Sequence, residues 1–338
     1  MPSLRDIMEL GRMHTAAATA TVPTAGCLTA GGGWEAALLV AAASLLHHGW
    51  GFSMNEILDQ EIDGKSGDLT NKPLASGKVS SGQARVVSAS FLILSGTVFI
   101  VAAFMTGAGI LSIAAPFLLS TALGSLYNIY GKKVPLMDIP LSGWMFFLVV
   151  TGAYAGGGDA ASFPVGVWAV AIMGALHILY NNSVEGGMKD VDNDRSQGSR
   201  TLAVVSGACY DGQKMSAGPA MRIWAVLLRV LFAVSGMVFS LFIASEAGWG
   251  EWIVVLVSIL GLLLISDSMS LMIRDRVIKR RKLLGRFAVH EIGSFAFTLL
   301  VIMPVLGPWW VMGLFILPLL WFMSMNRLLY GNGMVPGV

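Results

Sequence analysis

The sequence predicts an all-α membrane protein, a polytopic helical bundle. Of its 338 residues, 55% are hydrophobic and only 12% are charged, and the mean hydropathy is +0.71. Such a composition is typical of chains that span a membrane several times and excludes an ordinary soluble enzyme. The formal net charge is only +2, and the basic residues form no nucleic-acid-binding pattern. We therefore expect the lipid bilayer, and no nucleic acid, among the partners.

Apolar segments long enough to cross a bilayer follow one another along the chain, since about 20 residues span the hydrocarbon core. They cover residues 13–31, 35–58, 84–106, 109–130, 140–156, 163–186, 220–245, 251–273, 288–306 and 309–327. The first is rich in Ala and Thr and lacks the Leu-rich core of a signal peptide, so it is interpreted as a weakly hydrophobic transmembrane helix. No linker separates folded domains, and residues 1–338 are predicted to form one integral-membrane domain.

The basic residues predict the orientation. The connections "GGGWE", "TGAG", "AGGGDAASF", "SEAGWGEW" and "GPWW" contain no Lys or Arg. Because basic residues accumulate on the cytoplasmic side, the N-terminus and the connections near 61–83, 131–139, 187–219 and 274–287 are predicted to be cytoplasmic. The loops 61–83 and 187–219 are long and polar, which favours a function for them. We expect them to cap an active site on the cytoplasmic face of the cell membrane.

Two helix ends carry acidic residues at four-residue spacing. In "NEILDQEID", Asn55, Asp59 and Asp63 share one helical face and rise by about 6 Å per step. In "KDVDNDRSQGSRTL", Asp190 and Asp194 repeat the spacing. Neither group contains the His or Cys that would favour zinc. Oxygen ligands suit Mg²⁺, which binds one or two carboxylates and fills its coordination shell with water and substrate phosphate.

Basic residues follow each acidic group, which predicts a diphosphate site. They are Lys72 and Lys78, Lys132 and Lys133, and Lys189, Arg195 and Arg200. Carboxylates, a metal ion and Lys or Arg together can bind and neutralise a diphosphate.

Two acidic residues inside apolar segments have open interpretations. Asp267 either lines an acceptor pocket or lies at the headgroup boundary beside a basic residue. Glu185 either orients metal ligands or binds a neighbouring helix. The "HEIGS" sequence at His290 lacks the second His of a zinc motif.

Five motifs resemble the UbiA-type intramembrane prenyltransferase superfamily. "NEILDQEID" resembles the signature N-D-x-x-D-x-x-x-D, and "KPLASGKVS" resembles R-P-x-x-S-G-x-x-S. "DVDNDRSQGSRTL" is similar to D-x-x-x-D followed by G-x-R-T-L. "LYNIYGKKVPL" and "RMHT" are similar to the segment after the fourth helix and to the opening of the first. The motifs occur in the family's order over about two-thirds of the chain. The sequence departs from the pattern at Glu56, Lys72 and Gly187.

The resemblance implies a bundle of nine or ten transmembrane helices around a lipid-accessible central cavity, nine being usual in the family. It implies two Mg²⁺ ions and a polyprenyl diphosphate donor. The residues it assigns to metal binding are Asn55, Asp59, Asp63, Asp190 and Asp194, the four aspartates also being catalytic. The residues it assigns to substrate binding are Asn55, Lys72, Lys132 and Arg200, with Tyr127 and Arg12 as further members.

The implied reaction is transfer of the polyprenyl group to a hydrophobic or amphipathic acceptor with release of diphosphate. The acceptor is either an aromatic or quinone precursor or a geranylgeranylglyceryl phosphate-type ether lipid. Two alternatives remain. One is a membrane terpene cyclase, which would need no acceptor. The other is an ion or proton transporter, whose acidic residues would lie near the bilayer midplane rather than at helix ends.

Overall fold

The computed structural model describes residues 2–63, 72–210, 214–272, 276–277 and 280–331. Within these ranges the side chains of 61–63, 276–277 and 280–281 are outside the description.

Helices account for most of the described chain, which confirms the all-α prediction. They are α1 Leu4–Leu10, α2 Ala16–Thr29, α3 Trp34–Asp63, α4 Ser81–Thr106, α5 Ile110–Tyr130, α6 Asp138–Ala155, α7 Val165–Tyr180, α8 Gly187–Ser196, α9 Leu202–Val205, α10 Pro219–Glu246, α11 Trp252–Met272, α12 Arg280–Leu306 and α13 Pro308–Tyr330. A 3-10 turn covers Ala160–Ser162, and a π-helical segment covers Asn181–Gly186. A small antiparallel sheet joins β1 Cys209–Tyr210, β2 Lys214–Ser216 and β3 Arg276–Val277, which the sequence did not predict.

Nine helices among the described residues are long and apolar enough to cross a membrane. The predicted span 13–31 is not among them, because α2 has only 14 residues and rises about 21 Å against about 30 Å of hydrocarbon. A turn at residues 11–15 separates it from α1, and Arg12 has a φ of 46° there. The described residues therefore support nine membrane-spanning helices rather than ten. The predicted span 163–186 stops short of the observed helical structure, which continues through residues 187–196 and places Asp190 and Asp194 on a helix end, as predicted.

The chain divides into two compact units. Unit 1 comprises Met1–Ile129, Phe147–Val167 and Met312–Val338, and unit 2 comprises Tyr130–Phe146 and Trp168–Val311. In unit 1, α2 and α6 approach through glycines. A Cβ at Gly152 would lie 2.4 Å from the Pro23 carbonyl oxygen, and one at Gly156 would lie 2.6 Å from that of Cys27. Small residues at four-residue spacing let membrane helices pack at such short distances.

In unit 2, an apolar cluster surrounds the end of the second acidic helix. Met188 and Val191 of α8 are fully buried together with Met215 of β2 and Leu271 of α11. Deeper in the unit, the Phe297 ring of α12 fills the space beside Gly236 of α10, where a Cβ would lie 2.3 Å from the ring. Burial of Met188 and Val191 holds α8 by its apolar face, so Asp190 lies on the other side of the helix.

Candidate functional site

The first acidic group occupies the last turns of α3. Asn55 and Asp59 are half-buried, whereas Glu56 between them is only 3% exposed. The four-residue spacing places Asn55 and Asp59 on one face of the helix, as predicted. Asp63 is the last residue of α3, and its side chain lies outside the described residues.

Arg12 is placed beside the same helix. Its guanidinium carbon lies 5.0 Å from the centre of the Phe52 ring, and Phe52 precedes Asn55 by three positions, so both lie on neighbouring parts of one helical face. The backbone at Arg12 is fixed by its N–H, which donates to the Glu9 carbonyl at 3.0 Å, and by His48, whose Nε2 lies 3.3 Å from the Arg12 carbonyl oxygen.

The chain from Lys72 to Ser80, which precedes α4, packs against the last turns of α3. Leu74 and Val79 of the loop are buried with Leu10, and Ile57 of α3 packs against the same cluster. The Lys72 carbonyl accepts hydrogen bonds from the Ser76 N–H and from the Ser76 hydroxyl, both at 2.8 Å. Lys72 therefore belongs to a segment that packs beside Ile57, two positions after Asn55.

Tyr127 lies near the end of α5 and is half-buried. The Nδ2 of the next residue, Asn128, donates to the Gly51 carbonyl oxygen at 3.0 Å. Gly51 precedes Asn55 by one helical turn. This hydrogen bond fixes the part of α5 that carries Tyr127 against α3.

The second acidic group lies on α8 in unit 2. The side chain of Asp190 is 46% exposed and its Oδ2 lies 3.5 Å from the Lys189 Nζ, whereas Asp194 is only 7% exposed. The Asp194 carbonyl accepts a hydrogen bond from the Ser199 N–H at 2.9 Å, which turns the chain at the end of the helix.

The structure brings together two of the predicted diphosphate ligands. The backbone N–H of Arg200 donates to the carbonyl oxygen of Lys132 at 2.8 Å, although the two residues are 68 positions apart. Arg200 follows the Asp194 turn, so Lys132, Arg200 and the second acidic group belong to one region of unit 2. Asn55, Asp59, Lys72, Tyr127 and Arg12 belong to unit 1.

A buried polar network in unit 2 was not predicted. His290 Nδ1 lies 2.7 Å from Glu185 Oε1, and His290 Nε2 contacts Asp267 Oδ2. Asp267 also pairs with Arg286. Of the two interpretations left open for Asp267, the structure favours pairing with a basic residue. Glu185 binds residues of neighbouring helices, which is compatible with both of its interpretations.

Arg229 is the most unusual member of this network. It is 2% exposed within α10 and donates through Nε to Ser268 Oγ at 2.9 Å and through Nη1 to Ser294 Oγ at 2.6 Å. A charged residue within the apolar run "AVLLRVLF" is the sequence signal that could have identified it.

The donor atoms of the two acidic groups are oxygens, which are the ligands that magnesium prefers. Among the described residues no group of three or more His, Cys, Asp and Glu side chains is arranged to hold a metal ion. Each acidic group instead offers an amide or carboxylate oxygen pair, and Mg²⁺ completes such a pair with water and phosphate oxygens.

A curated relative, 4-hydroxybenzoate octaprenyltransferase from Aliivibrio fischeri, is 26% identical over 184 residues, covering 53% of this chain and 58% of that protein. The chain thus matches a little over half of that relative's length.

Solved structures share the fold. One is described as digeranylgeranylglyceryl phosphate synthase in membranes, with a TM-score of 0.67, 19% identity, and coverage of 91% of this chain and 100% of the other. Another is a UbiA homologue from Archaeoglobus fulgidus bound to GPP and Mg²⁺. It has a TM-score of 0.60 and 15% identity, and the match covers 88% of this chain and 99% of the other.

The family model described as the UbiA prenyltransferase family matches residues 18–292. That range includes α3, α8 and both acidic groups, and the nine apolar helices are those of an integral membrane protein. The chain belongs to the UbiA prenyltransferase family.

Proposed function

We propose that this protein transfers a polyprenyl group from a polyprenyl diphosphate to a membrane-associated acceptor and that it requires Mg²⁺, with two ions expected. The observation that carries the proposal is the repeated oxygen pair: Asn55 with Asp59, and Asp190 with Asp194, each four residues apart at a helix end. Basic residues accompany each pair. The relative from Aliivibrio fischeri is named a prenyltransferase, and the Archaeoglobus fulgidus homologue binds GPP and Mg²⁺.

In the proposed reaction, the C–O bond between the first prenyl carbon and the diphosphate breaks, and its electron pair leaves with the diphosphate. A nucleophilic atom of the acceptor forms the new bond to that carbon and the acceptor releases a proton. Asp59, Asp63, Asp190 and Asp194, with Asn55, would hold the ions. Bound Mg²⁺ would supply positive charge to the departing diphosphate.

The basic residues are proposed to bind the diphosphate rather than the metal ions. Lys72, Lys132 and Arg200 would bind diphosphate oxygens, and their charge favours the transition state because the leaving group gains negative charge as the bond breaks. Arg12 and Tyr127 would contact the substrate beside the Asn55 face. The apolar side chains of the spanning helices would keep water from the prenyl cation.

The acceptor class is open between two chemistries. The curated relative is named for 4-hydroxybenzoate, an aromatic acid, and the structural neighbour is named for an ether-lipid phosphate. We also propose that residues 1–338 act as one domain in the cell membrane, with the N-terminus and the capping loops 61–83 and 187–219 in the cytoplasm. The absence of Lys and Arg from the opposite connections supports this orientation.

The test is release of diphosphate from geranylgeranyl diphosphate by the purified protein in detergent, with and without Mg²⁺. 4-Hydroxybenzoate and geranylgeranylglyceryl phosphate serve as acceptors in parallel reactions, and lipid products are identified by mass. We expect release to require Mg²⁺ and one of the acceptors.

The variants Asp59→Asn and Asp190→Asn keep the shape of each side chain and remove its charge. We expect each to lower the rate at least 100-fold. Asp192→Asn on the same helix is the matched control, because Asp192 is exposed and two positions from Asp190, on a different face. Product formed without any acceptor would indicate a cyclase, and no release by folded protein with either acceptor would contradict the proposal.

A further inference from the structure

The π-helical segment Asn181–Gly186 lies between α7 and α8, directly before the second acidic group. Its four polar side chains each contact a different residue of unit 2. Asn181 Nδ2 donates to Glu291 Oε2 at 2.7 Å, Asn182 Nδ2 donates to Asp138 Oδ1, Trp224 Nε1 donates to Ser183 Oγ at 2.9 Å, and Glu185 Oε1 lies 2.7 Å from His290 Nδ1. The partners come from α6, α10 and α12, so three helices hold this one segment.

The contact of Glu185, unlike the other three, is part of a larger network of polar side chains. Arg229 Nη2 lies 3.8 Å from Glu185 Oε1, and Arg229 is itself fixed by Ser268 of α11 and Ser294 of α12. His290 in turn contacts Asp267 of α11. Glu185, His290 and Arg229 are each at most 4% exposed in their side chains. A buried charge group with this many partners stays fixed only while all of them are present.

The π-helical backbone determines the direction of Asp190 and Asp194. A π turn closes i→i+5 hydrogen bonds and contains one residue more than an α-helical turn. Each residue of an α-helix turns by about 100°, so one extra residue rotates everything after it by about that angle. If Asn181–Gly186 relaxed to a regular α-helix, Asp190 and Asp194 would point to a different side of the helix.

We propose that the contacts of Asn181, Asn182, Ser183 and Glu185 hold this segment in its π form, and that Glu185 and His290 are positioning residues for the second acidic pair. The inference rests on the proposed function, because Asp190 and Asp194 are the residues that are expected to bind metal and diphosphate. Glu185 and His290 act through the backbone of α8 and bind no substrate.

The test measures metal binding directly as well as activity. Binding of Mn²⁺ in the presence of inorganic diphosphate is followed by the electron paramagnetic resonance signal of the free ion, using the full chain in detergent. The Mg²⁺ concentration for half-maximal diphosphate release is measured on the same samples. Glu185→Leu removes the hydrogen-bonding atoms, Glu185→Gln retains an oxygen for His290, and Ser240→Ala removes a buried hydrogen bond elsewhere on α10 as the matched control.

We expect Glu185→Leu to weaken Mn²⁺ binding at least fivefold and to raise the half-maximal Mg²⁺ concentration similarly. Glu185→Gln and Ser240→Ala should stay within twofold of the wild type. Should Glu185→Leu not fold, Asn182→Ala and Trp224→Phe remove single contacts of the segment, and at least one of them should weaken binding threefold or more.

Folded contact variants that all bind Mn²⁺ within twofold of the wild type would overturn the inference. Wild-type protein that binds no Mn²⁺ with diphosphate would overturn it as well. If the wild type binds Mn²⁺ and the variants weaken it, but no diphosphate is released with either acceptor, the proposed function fails and the positioning role stands.

Discussion

The guanidinium carbon of Arg229 lies 3.8 Å from the centre of the Tyr180 ring. The same group reaches two serine hydroxyls and the Glu185 carboxylate, so a cation inside a membrane helix is surrounded by an aromatic face, hydrogen-bond acceptors and one negative charge. This combination lowers the cost of burying a charge. It also joins α10 to α11, α12 and the π-helical segment that precedes the second acidic group.

We expect Arg229→Met to destabilise the protein by roughly 3 kcal/mol, because the substitution removes the buried guanidinium group that lies 3.8 Å from Glu185 Oε1. The measurement is the midpoint of thermal unfolding in detergent. Arg85→Met is the control, since Arg85 is exposed on α4 and exposed charges contribute little. Equal midpoints for the two variants would contradict a stabilising role of Arg229.

The sequence predicted features that depend on neighbouring residues, such as the positions of the spans. It did not predict contacts between residues that are far apart in the chain. The span predicted at 84–106 corresponds to α4 at Ser81–Thr106, because hydropathy along one segment is enough to locate it. The pairing of Glu185 with His290 joins residues 105 positions apart, and no local pattern predicts such a contact. The π-helical segment was missed for the same reason, since tertiary contacts and not propensity hold it.

In the candidate site, too, the sequence predicted local spacing but no long-range contacts. Asn55 and Asp59, or Asp190 and Asp194, share a face because helical periodicity requires it. The hydrogen bond between the Arg200 N–H and the Lys132 carbonyl depends on how two loops meet in unit 2. The predicted span 13–31 includes part of the turn at residues 11–15, so α2 begins only at Ala16 and is too short to span the hydrocarbon core.

Gly152 should tolerate no side chain. An alanine Cβ there would lie 2.4 Å from the carbonyl oxygen of Pro23, and backbone cannot move aside as a flexible side chain can. We expect Gly152→Ala to cost at least about 2 kcal/mol by separating α2 from α6. Gly313→Ala is the matched control, because a Cβ at Gly313 meets nothing within 4 Å.

Thermal unfolding in detergent compares the two glycine variants. A midpoint for Gly152→Ala equal to that for Gly313→Ala would mean that α2 and α6 can separate without loss.

His14 should make stability depend on pH. It is 6% exposed, and among the described residues no hydrogen-bond partner reaches its Nδ1. Burial, with a smaller contribution from the charge of Arg12, lowers the pKa of His14 from 6.5 to about 4. Below pH 6.5 the unfolded chain therefore takes up a proton that the folded protein does not, so stability falls as the pH decreases from about 6.5 to about 4.

The unfolding midpoint, measured from pH 8 to pH 4.5, should be flat at the upper end and decline below pH 6.5. His14→Gln removes the titrating group, so its decline should be smaller than that of the wild type. Identical pH profiles for the two proteins would show that His14 does not contribute.

Substitution of Lys72 tests whether its charge contributes to substrate binding, without disturbing the fold of the loop. Leu74 and Val79 anchor the loop through the cluster with Leu10, so substitution of Lys72 should leave the loop in place. A lysine binds phosphate as a point charge, and an arginine binds it through a planar pair of donors. We expect Lys72→Ala to raise the KM for geranylgeranyl diphosphate about tenfold and Lys72→Arg to change it less than threefold.

Arg85→Ala is the control, because Arg85 is an exposed basic residue of α4 that is not among the predicted diphosphate ligands. If Lys72 contacts the diphosphate, the KM of Lys72→Ala should also depend less on salt concentration than that of the wild type, since one charge interaction is missing. A KM for Lys72→Ala equal to that of Arg85→Ala, with the same salt dependence, would place Lys72 outside the substrate site. A fall in kcat without a change in KM would instead assign its charge to the transition state.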